Sequence, residues 1–387
     1  VRNIALIVLD TLRWDYSGYF DWLSGLGFRK YSAWASSPWT LPSHVSMFTG
    51  LTPSEHGVHE PSRWIGWGWL QLVREKAKAS MAKLGGGALG LLRDLGYYTI
   101  GISANPYISE AFGFKFDEYY DINVNYLQSG HIKLNDREVA SIKAIFEEGA
   151  TAKTVFKAFI ENGPASSAKL LLKALELLAR GVPSEKGVHI ASDLVKRLSA
   201  EGPVFLFINL MEMHEPYTAT DWARSGLAHL RALIYGSAPP RIIGTWRRRY
   251  PQQARFLSRA LRGLLRGLRD FSIVVVSDHG QMLGEGGLLG HGYWLREELL
   301  RVPLWVKWGG KAPTLKEPAS IADVAQILAN LADERPIRQS PPIAEAYGPL
   351  ISPAMRSYAP PIDAIKRLYG HRVKEAPIDS RAPSASL

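Results

Sequence analysis

At 387 residues and 46% hydrophobic content, the chain can build one large α/β domain with an appendage and bury a sizeable core. It contains no cysteine, which excludes disulfides, thiolate nucleophiles and Cys-type zinc sites, and no apolar run approaches the roughly 18 residues of a membrane-spanning helix. The net charge of +10 is local: Ala223 to Arg269 carries eleven Arg and no Asp, Glu or Lys, so the rest of the chain is close to neutral.

In chain order, the first element is an apolar strand, Ile4–Leu9, that runs straight into Asp10. It is too short for the core of a signal peptide, and the chain reads as soluble and cytoplasmic, with association to a membrane surface left open. A helix is expected over Ser43–Thr49, with Pro42 in its first turn and Gly50 as its stop. Thr40 then stands at the helix entrance. There it is either a simple N-cap or a hydroxyl that faces free N–H groups and attracts an anionic ester. Further on come a helix over Ala88–Leu95, a strand over Tyr98–Ser103, and a helical insertion at about 140–200 centred on Ala152–Arg180. The aromatic stretch Trp64, Trp67, Trp69 and the Lys/Leu-rich stretch Lys169–Arg180 suit either packing or contact with a membrane.

A helix over Ala191–Ser199 precedes a strand over Val204–Leu210, which leads into Met211-Glu212-Met213-His214. The helix expected over Gln253–Arg269 places Arg255, Arg259, Arg262, Arg266 and Arg269 on one face, with Phe256, Leu261, Leu264, Leu265 and Leu268 pointing away. That face is either a solvated basic side or a docking surface for anionic lipid, polyanion or nucleic acid; no recognisable nucleic-acid module accompanies it. A strand over Ser272–Ser277 ends in Asp278-His279-Gly280, a strand over Leu304–Trp308 follows, and a helix over Ile321–Leu331 closes the pattern. The alternation predicts a mostly parallel sheet covered on both faces. Functional groups in such sheets gather beyond the carboxyl ends of the strands, where Asp10 and Asp278-His279 offer oxygen and imidazole donors suited to a divalent cation. Each signal alone is weak, since an acid after a strand also serves as a turn or cap residue.

Taken together, four segments resemble the sulfatase-like branch of the alkaline phosphatase superfamily. They are Asp10-Thr11-Leu12-Arg13-Trp14-Asp15, the stretch from Thr40-Leu41-Pro42-Ser43-His44 to Glu55-His56-Gly57, Met211 to Tyr217, and Ser277-Asp278-His279-Gly280 to His291-Gly292. They occur in the family's order across roughly residues 1–350. The resemblance implies a three-layer α/β/α sandwich. It also implies Asp10, Asp278 and His279 as metal ligands, a metal-bound nucleophile at Thr40, and His214 and His291 on the ester or its leaving group. A short extension over 351–387 is expected to be partly disordered.

The departures from the pattern carry the chemistry. Sulfatases place at position 40 a Cys or Ser that is oxidised to formylglycine, with Arg four residues on; here the residues are Thr40 and His44. The methyl group on its carbinol carbon prevents threonine from giving that aldehyde, so no formylglycine is expected and the chemistry tilts from sulfur to phosphorus. Thr11 replaces a second Asp ligand, and the remaining donors Asp10, Thr40, Asp278 and His279 suit Mn²⁺ or Zn²⁺ better than Ca²⁺. Asn105 stands where sulfatases use a lysine on the sulfate, and His44 replaces the arginine that braces the nucleophile; both are candidate substrate contacts. The expected function is a metal-dependent hydrolase or transferase of phosphate mono- or diesters, free, lipid-linked or glycan-linked, working through Thr40. The alternatives are a sulfuric ester hydrolase without formylglycine and a non-catalytic binding protein on the same scaffold.

Overall fold

The computed structural model describes residues 2–59, 69–122, 131–141, 152–180, 185–198, 201–217, 228, 232, 237–292, 294–309, 314–333, 337–339, 341–346 and 372–375. The aromatic residues Trp64 and Trp67, and all of the expected C-terminal extension except 372–375, lie outside them.

Eight strands form one sheet: β1 (Ile4–Leu9), β2 (Phe28–Trp34), β3 (Tyr98–Ser103), β4 (Glu118–Asp121), β5 (Val204–Leu210), β6 (Ser272–Val276), β9 (Arg301–Lys307) and β10 (Ala319–Ser320). The small hairpin β7 (Met282–Leu283) and β8 (Leu289–Gly290), and the parallel pair β11 (Ile343–Ala346) and β12 (Arg372–Glu375), stand apart. The order across the sheet is β10-β2-β9-β6-β1-β5-β3-β4. Only β9 runs against its neighbours, so the sheet is mostly parallel, as expected. The central strands have no exposed residue, SIVVV in β6, IALIVL in β1 and VFLFINL in β5, because helices cover both faces.

The strand register fixes those faces. Phe207 pairs with Leu6, Leu6 with Val274 and Val274 with Val306, so these four side chains share one face and Trp305 lies on the other. Phe207 packs on Phe48 of α1 (Thr40–Thr49), whereas Trp305 packs on Phe20 of the 3-10 segment Trp14–Leu26. With α1 lie α2 (Trp69–Lys83), α3 (Ala88–Asp94) and α7 (Asp323–Asp333). With the 3-10 segment lie α6 (Pro240–Arg266) and, packed on it, α5 (Val188–Arg197). The result is a three-layer α/β/α sandwich. Of the stretch expected as an insertion, α5 belongs to a covering layer, while α4 (Ala152–Arg180) is a helix broken at Gly163, whose φ of 73° departs from helical backbone just before Pro164.

Three expectations need correction. Helix α6 begins at Pro240, not Gln253: Pro251 lies inside it and interrupts the helical pattern that a sequence shows. Strand β2 was not anticipated, because Arg29 and Lys30 break its apolar run near the sheet's edge. Helix α1 starts at Thr40, three residues before the expected Ser43.

Candidate metal and nucleophile site

Neighbouring strands β1 and β6 deliver Asp10 and Asp278 side by side beyond their carboxyl ends. The turn after β1 is tied down at several points. The Asp10 N–H donates to the Leu210 carbonyl at 3.0 Å, and the Thr11 N–H donates to Asp278 Oδ1 at 3.1 Å. Thr11 has a φ of 62°, a left-handed conformation that costs a β-branched residue about 1–3 kcal/mol. The Tyr250 hydroxyl holds it there by donating to the Thr11 carbonyl at 2.5 Å while accepting the Arg13 N–H at 3.1 Å. Helix α6 thereby braces the turn that follows Asp10.

Each carboxylate has one oxygen engaged and one without a hydrogen-bond partner. Asp10 Oδ2 accepts from Asn105 Nδ2 at 2.9 Å, and Asp278 Oδ1 accepts the N–H groups of Thr11 and His279. Asp10 Oδ1 and Asp278 Oδ2 are buried and unpartnered. His279 Nδ1 donates to the Gly280 carbonyl at 2.9 Å, which leaves the Nε2 lone pair facing those oxygens, 3.4 Å from Asp278 Oδ2 and 4.0 Å from Asp10 Oδ1. All three side chains are fully buried, and one ligand atom from each lies within 4.8 Å of the others. Burial, with each carboxylate's neighbours, pushes Asp10 up to about 6 and Asp278 up to about 7, while it lowers His279 below the ordinary histidine value. Two orphaned oxygens and a neutral imidazole aimed at one point suit a divalent cation.

Thr40 completes the set. Its N-cap is Trp39 in extended conformation with no capping side chain, so Thr40 is the first helical residue and not the cap. Its Oγ1 lies 3.2 Å from His279 Nε2, to which the hydroxyl donates, and it stands at the end of α1 where amides are left over. The helix around it is buried from Thr40 to Phe48 and stops at Gly50, whose φ is 75°. His44, one turn on, is fully buried: Nδ1 donates to the Thr40 carbonyl at 2.9 Å, lies 3.7 Å from Asp278 Oδ2, and Nε2 accepts from Asn209 at 3.4 Å. Burial holds its pKa down to about 3, so it is neutral. His44 and Asn105 were expected as substrate contacts; both are buried, with Asn105 donating to Asp10 Oδ2 and His44 to the Thr40 carbonyl. His56 accepts the Val58 N–H and bonds the Ser46 hydroxyl, a structural role.

His214 and His291 stand on the more open side, their rings 4.9 Å apart and His291 4.6 Å from His279. Each engages its Nδ1, His214 on the Glu215 carbonyl and His291 on Gln281 Oε1, both at 2.6 Å. Gln281 also donates to the Glu215 carboxylate. His214, Glu215 and His291 could also hold an ion by proximity, but here Gln281 already engages two of the three. Arg13 holds the Gln281 carbonyl at 3.1 Å and is itself fixed by Asp15 and Glu285. Lys186 donates to the His214 carbonyl, and burial lowers it to about 8. Glu212, pushed up to about 7 by burial, accepts the Lys186 and Val188 N–H groups and shapes that loop. Sequence reasoning missed Glu215, Gln281 and Lys186. The first two lie within motifs that were read, beside His214 and His279; Lys186 has no local signature.

The Sulfatase family model matches residues 2–334. No curated protein matches the chain by sequence. Among solved structures, the chain is similar to the phosphonate monoester hydrolase SpPMH from Silicibacter pomeroyi, at 15% identity over 88% of this chain and 74% of that one, with a TM-score of 0.50. A Bacteroides thetaiotaomicron protein solved in work on glycosaminoglycan metabolism gives 13% identity over 87% and 74%, also with a TM-score of 0.50. The lipoteichoic acid synthase LtaP from Listeria monocytogenes gives 13% over 86% and 72%, with a TM-score of 0.46. With a family model spanning most of its length, the chain belongs to the Sulfatase family of the alkaline phosphatase superfamily, enzymes that act on sulfate or phosphate esters.

Proposed function

We propose that the chain is a metal-dependent phosphate ester hydrolase or transferase in which Thr40 is the nucleophile and Asp10, Asp278, His279 and Thr40 hold a divalent cation. The observation that carries this reading is the pair of buried, unpartnered oxygens, Asp10 Oδ1 and Asp278 Oδ2, that face His279 Nε2 beside the Thr40 hydroxyl. Leaving such atoms without a donor costs about 1–3 kcal/mol each, a cost that a cation removes. When bound, the cation would supply Lewis acidity that lowers the hydroxyl's pKa and polarises the ester. Four donors that include an imidazole favour Mn²⁺ or Zn²⁺ over Ca²⁺.

The remaining chemistry belongs to the chain. The α1 terminus attracts the anionic ester and sets Thr40 Oγ1 toward its phosphorus. Asn105 keeps Asp10 in place, and His44 holds the Thr40 carbonyl. Thr40 reacts as the alkoxide, its hydroxyl proton released to solvent; as the Oγ1–P bond forms and the bond to the leaving oxygen breaks, a proton on Nε2 of His214 or His291 passes to the departing alcohol. Glu215 and Gln281 fix those two rings. Water or a second alcohol then attacks the phosphothreonine and releases Thr40. Threonine supports phosphorus over sulfur, because it cannot form the aldehyde hydrate that expels sulfate.

The test is turnover of an aryl phosphate, an aryl phosphodiester and an aryl sulfate with Mn²⁺, Zn²⁺ or Ca²⁺, for the wild type and Thr40→Ala. Phosphorus ester turnover that needs Mn²⁺ or Zn²⁺ and falls by at least about 10³-fold in Thr40→Ala is the expected result. Sulfate turnover that survives Thr40→Ala overturns the mechanism. No turnover and no bound metal would leave a binding protein on an enzyme scaffold.

A further inference from the structure

Helix α4 inverts the usual arrangement of an amphipathic helix. Its inward side is polar: Lys173, 1% exposed, pairs with Glu176 at 3.1 Å, and Lys169 pairs with the buried Glu138 at 2.7 Å. Glu176 also accepts the N–H groups of His131 and Ile132, and Asn162 donates to Ser141. Its outward side is apolar. Phe156, Phe159 and Ile160 before the break at Gly163, and Leu171, Leu172 and Leu175 after it, are each between 51% and 64% exposed. They are six of the nine exposed large apolar side chains among the described residues. Within each arm they recur at the three- and four-residue spacing of one helix face. Polar groups turned inward and apolar ones outward make a face built to be covered.

We propose that this face rests on the surface of an anionic lipid bilayer. The two arms, Ala152 to Asn162 and Pro164 to Arg180, are roughly 16 and 25 Å long at 1.5 Å per residue, short of the ~30 Å hydrocarbon core. No helix among the described residues is long and apolar enough to cross a membrane, so the arms lie in the interface plane. Charge selects lipid over a second copy of the chain. On the helix Lys157, Lys169 and Lys173 are each paired with a carboxylate, so the chain's net charge of +10 resides in the arginines of 223–269. Two chains of that charge repel each other, whereas anionic headgroups attract them. The exposed guanidinium groups of Arg241, Arg248, Arg249, Arg259 and Arg266 on α6, which have no carboxylate partner among the described residues, carry part of that excess.

Co-sedimentation of the full chain with phosphatidylcholine vesicles, with and without phosphatidylglycerol, tests this. Wild type should bind the phosphatidylglycerol vesicles and keep part of that binding at high salt. A variant with Phe156→Ser, Phe159→Ser, Leu171→Ser and Leu172→Ser should bind at least about tenfold more weakly, with an unchanged circular dichroism spectrum. A control that changes the exposed Leu26 and Leu72 to Ser should bind like wild type. Failure of wild type to bind, or equal binding by the four-residue variant, overturns the proposal. So does a wild-type dimer that the variant loses while neither binds vesicles.

Discussion

Asn105 donates one hydrogen bond to Asp10, and that bond decides which oxygen of Asp10 is left for a ligand. Side chains that orient metal ligands in this way typically change affinity by about 10–100-fold when removed. Asn105→Ala is therefore expected to weaken Mn²⁺ or Zn²⁺ binding by that factor in calorimetry, and unchanged affinity would remove Asn105 from the site. At this scale the sequence was most informative where chemistry coincides with a strand end: Asp10, Asp278 and His279 could be named because an apolar run stops at each. Thr40 could be named because Pro42 and Gly50 after it mark the helix that it opens. The relations behind them could not be read. That Gln281 links His291 to Glu215 and that Lys186 reaches the His214 carbonyl are products of loop convergence, which short-range spacing does not encode.

Among the elements, the loop after β6 leaves no room for a side chain at Gly280. A Cβ on Gly280 would stand 1.9 Å from the Glu298 carbonyl oxygen, while the Gly280 N–H donates to the Leu299 carbonyl and its own carbonyl orients His279. Gly280→Ala must displace backbone next to Asp278 and His279. Thermal unfolding and metal titration on the same sample should both show a loss, and a variant that matches wild type in both would contradict the role given to this loop. Helix α1 depends on its apolar side: Phe48, packed between Phe114 and Phe207, should cost about 3–5 kcal/mol in denaturant unfolding when changed to Ala. Strands β1 and β5 were bounded correctly from sequence because burial on both faces makes them near-continuous apolar runs, and β3 because its YTIGIS is rich in β-formers. Strands β2 and β4 escaped because positions nearer the sheet edge admit Arg29, Lys30, Glu118 and Asp121.

For the whole molecule, the two orphaned carboxylates couple stability to pH and to metal. Burial raises Asp10 to about 6 and Asp278 to about 7, so the folded metal-free protein binds these protons more tightly than the unfolded chain does. Their contribution is present below the ordinary carboxylate range near pH 4 and is lost as pH rises through 6 to 7. Across that interval the metal-free wild type should lose Tm relative to a variant with Asp10→Asn and Asp278→Asn. Saturating Mn²⁺ should raise the wild-type Tm more at pH 8 than at pH 5, where protons compete for the same oxygens. An equal rise at both values would separate the metal from these carboxylates. The sandwich and its strand-end site were legible from alternation of elements, but the placement of α4 with its apolar face outward was not, since a sequence shows amphipathicity without saying which side meets the protein. The most direct test of the central claim is rapid acid quenching of the metal-loaded enzyme during aryl phosphate turnover, followed by peptide mass spectrometry. Phosphate on the hydroxyl of Thr40, absent in a metal-free control, is the predicted result. Full turnover with Thr40 unmodified at every quench time, and undiminished in Thr40→Ala, would contradict it.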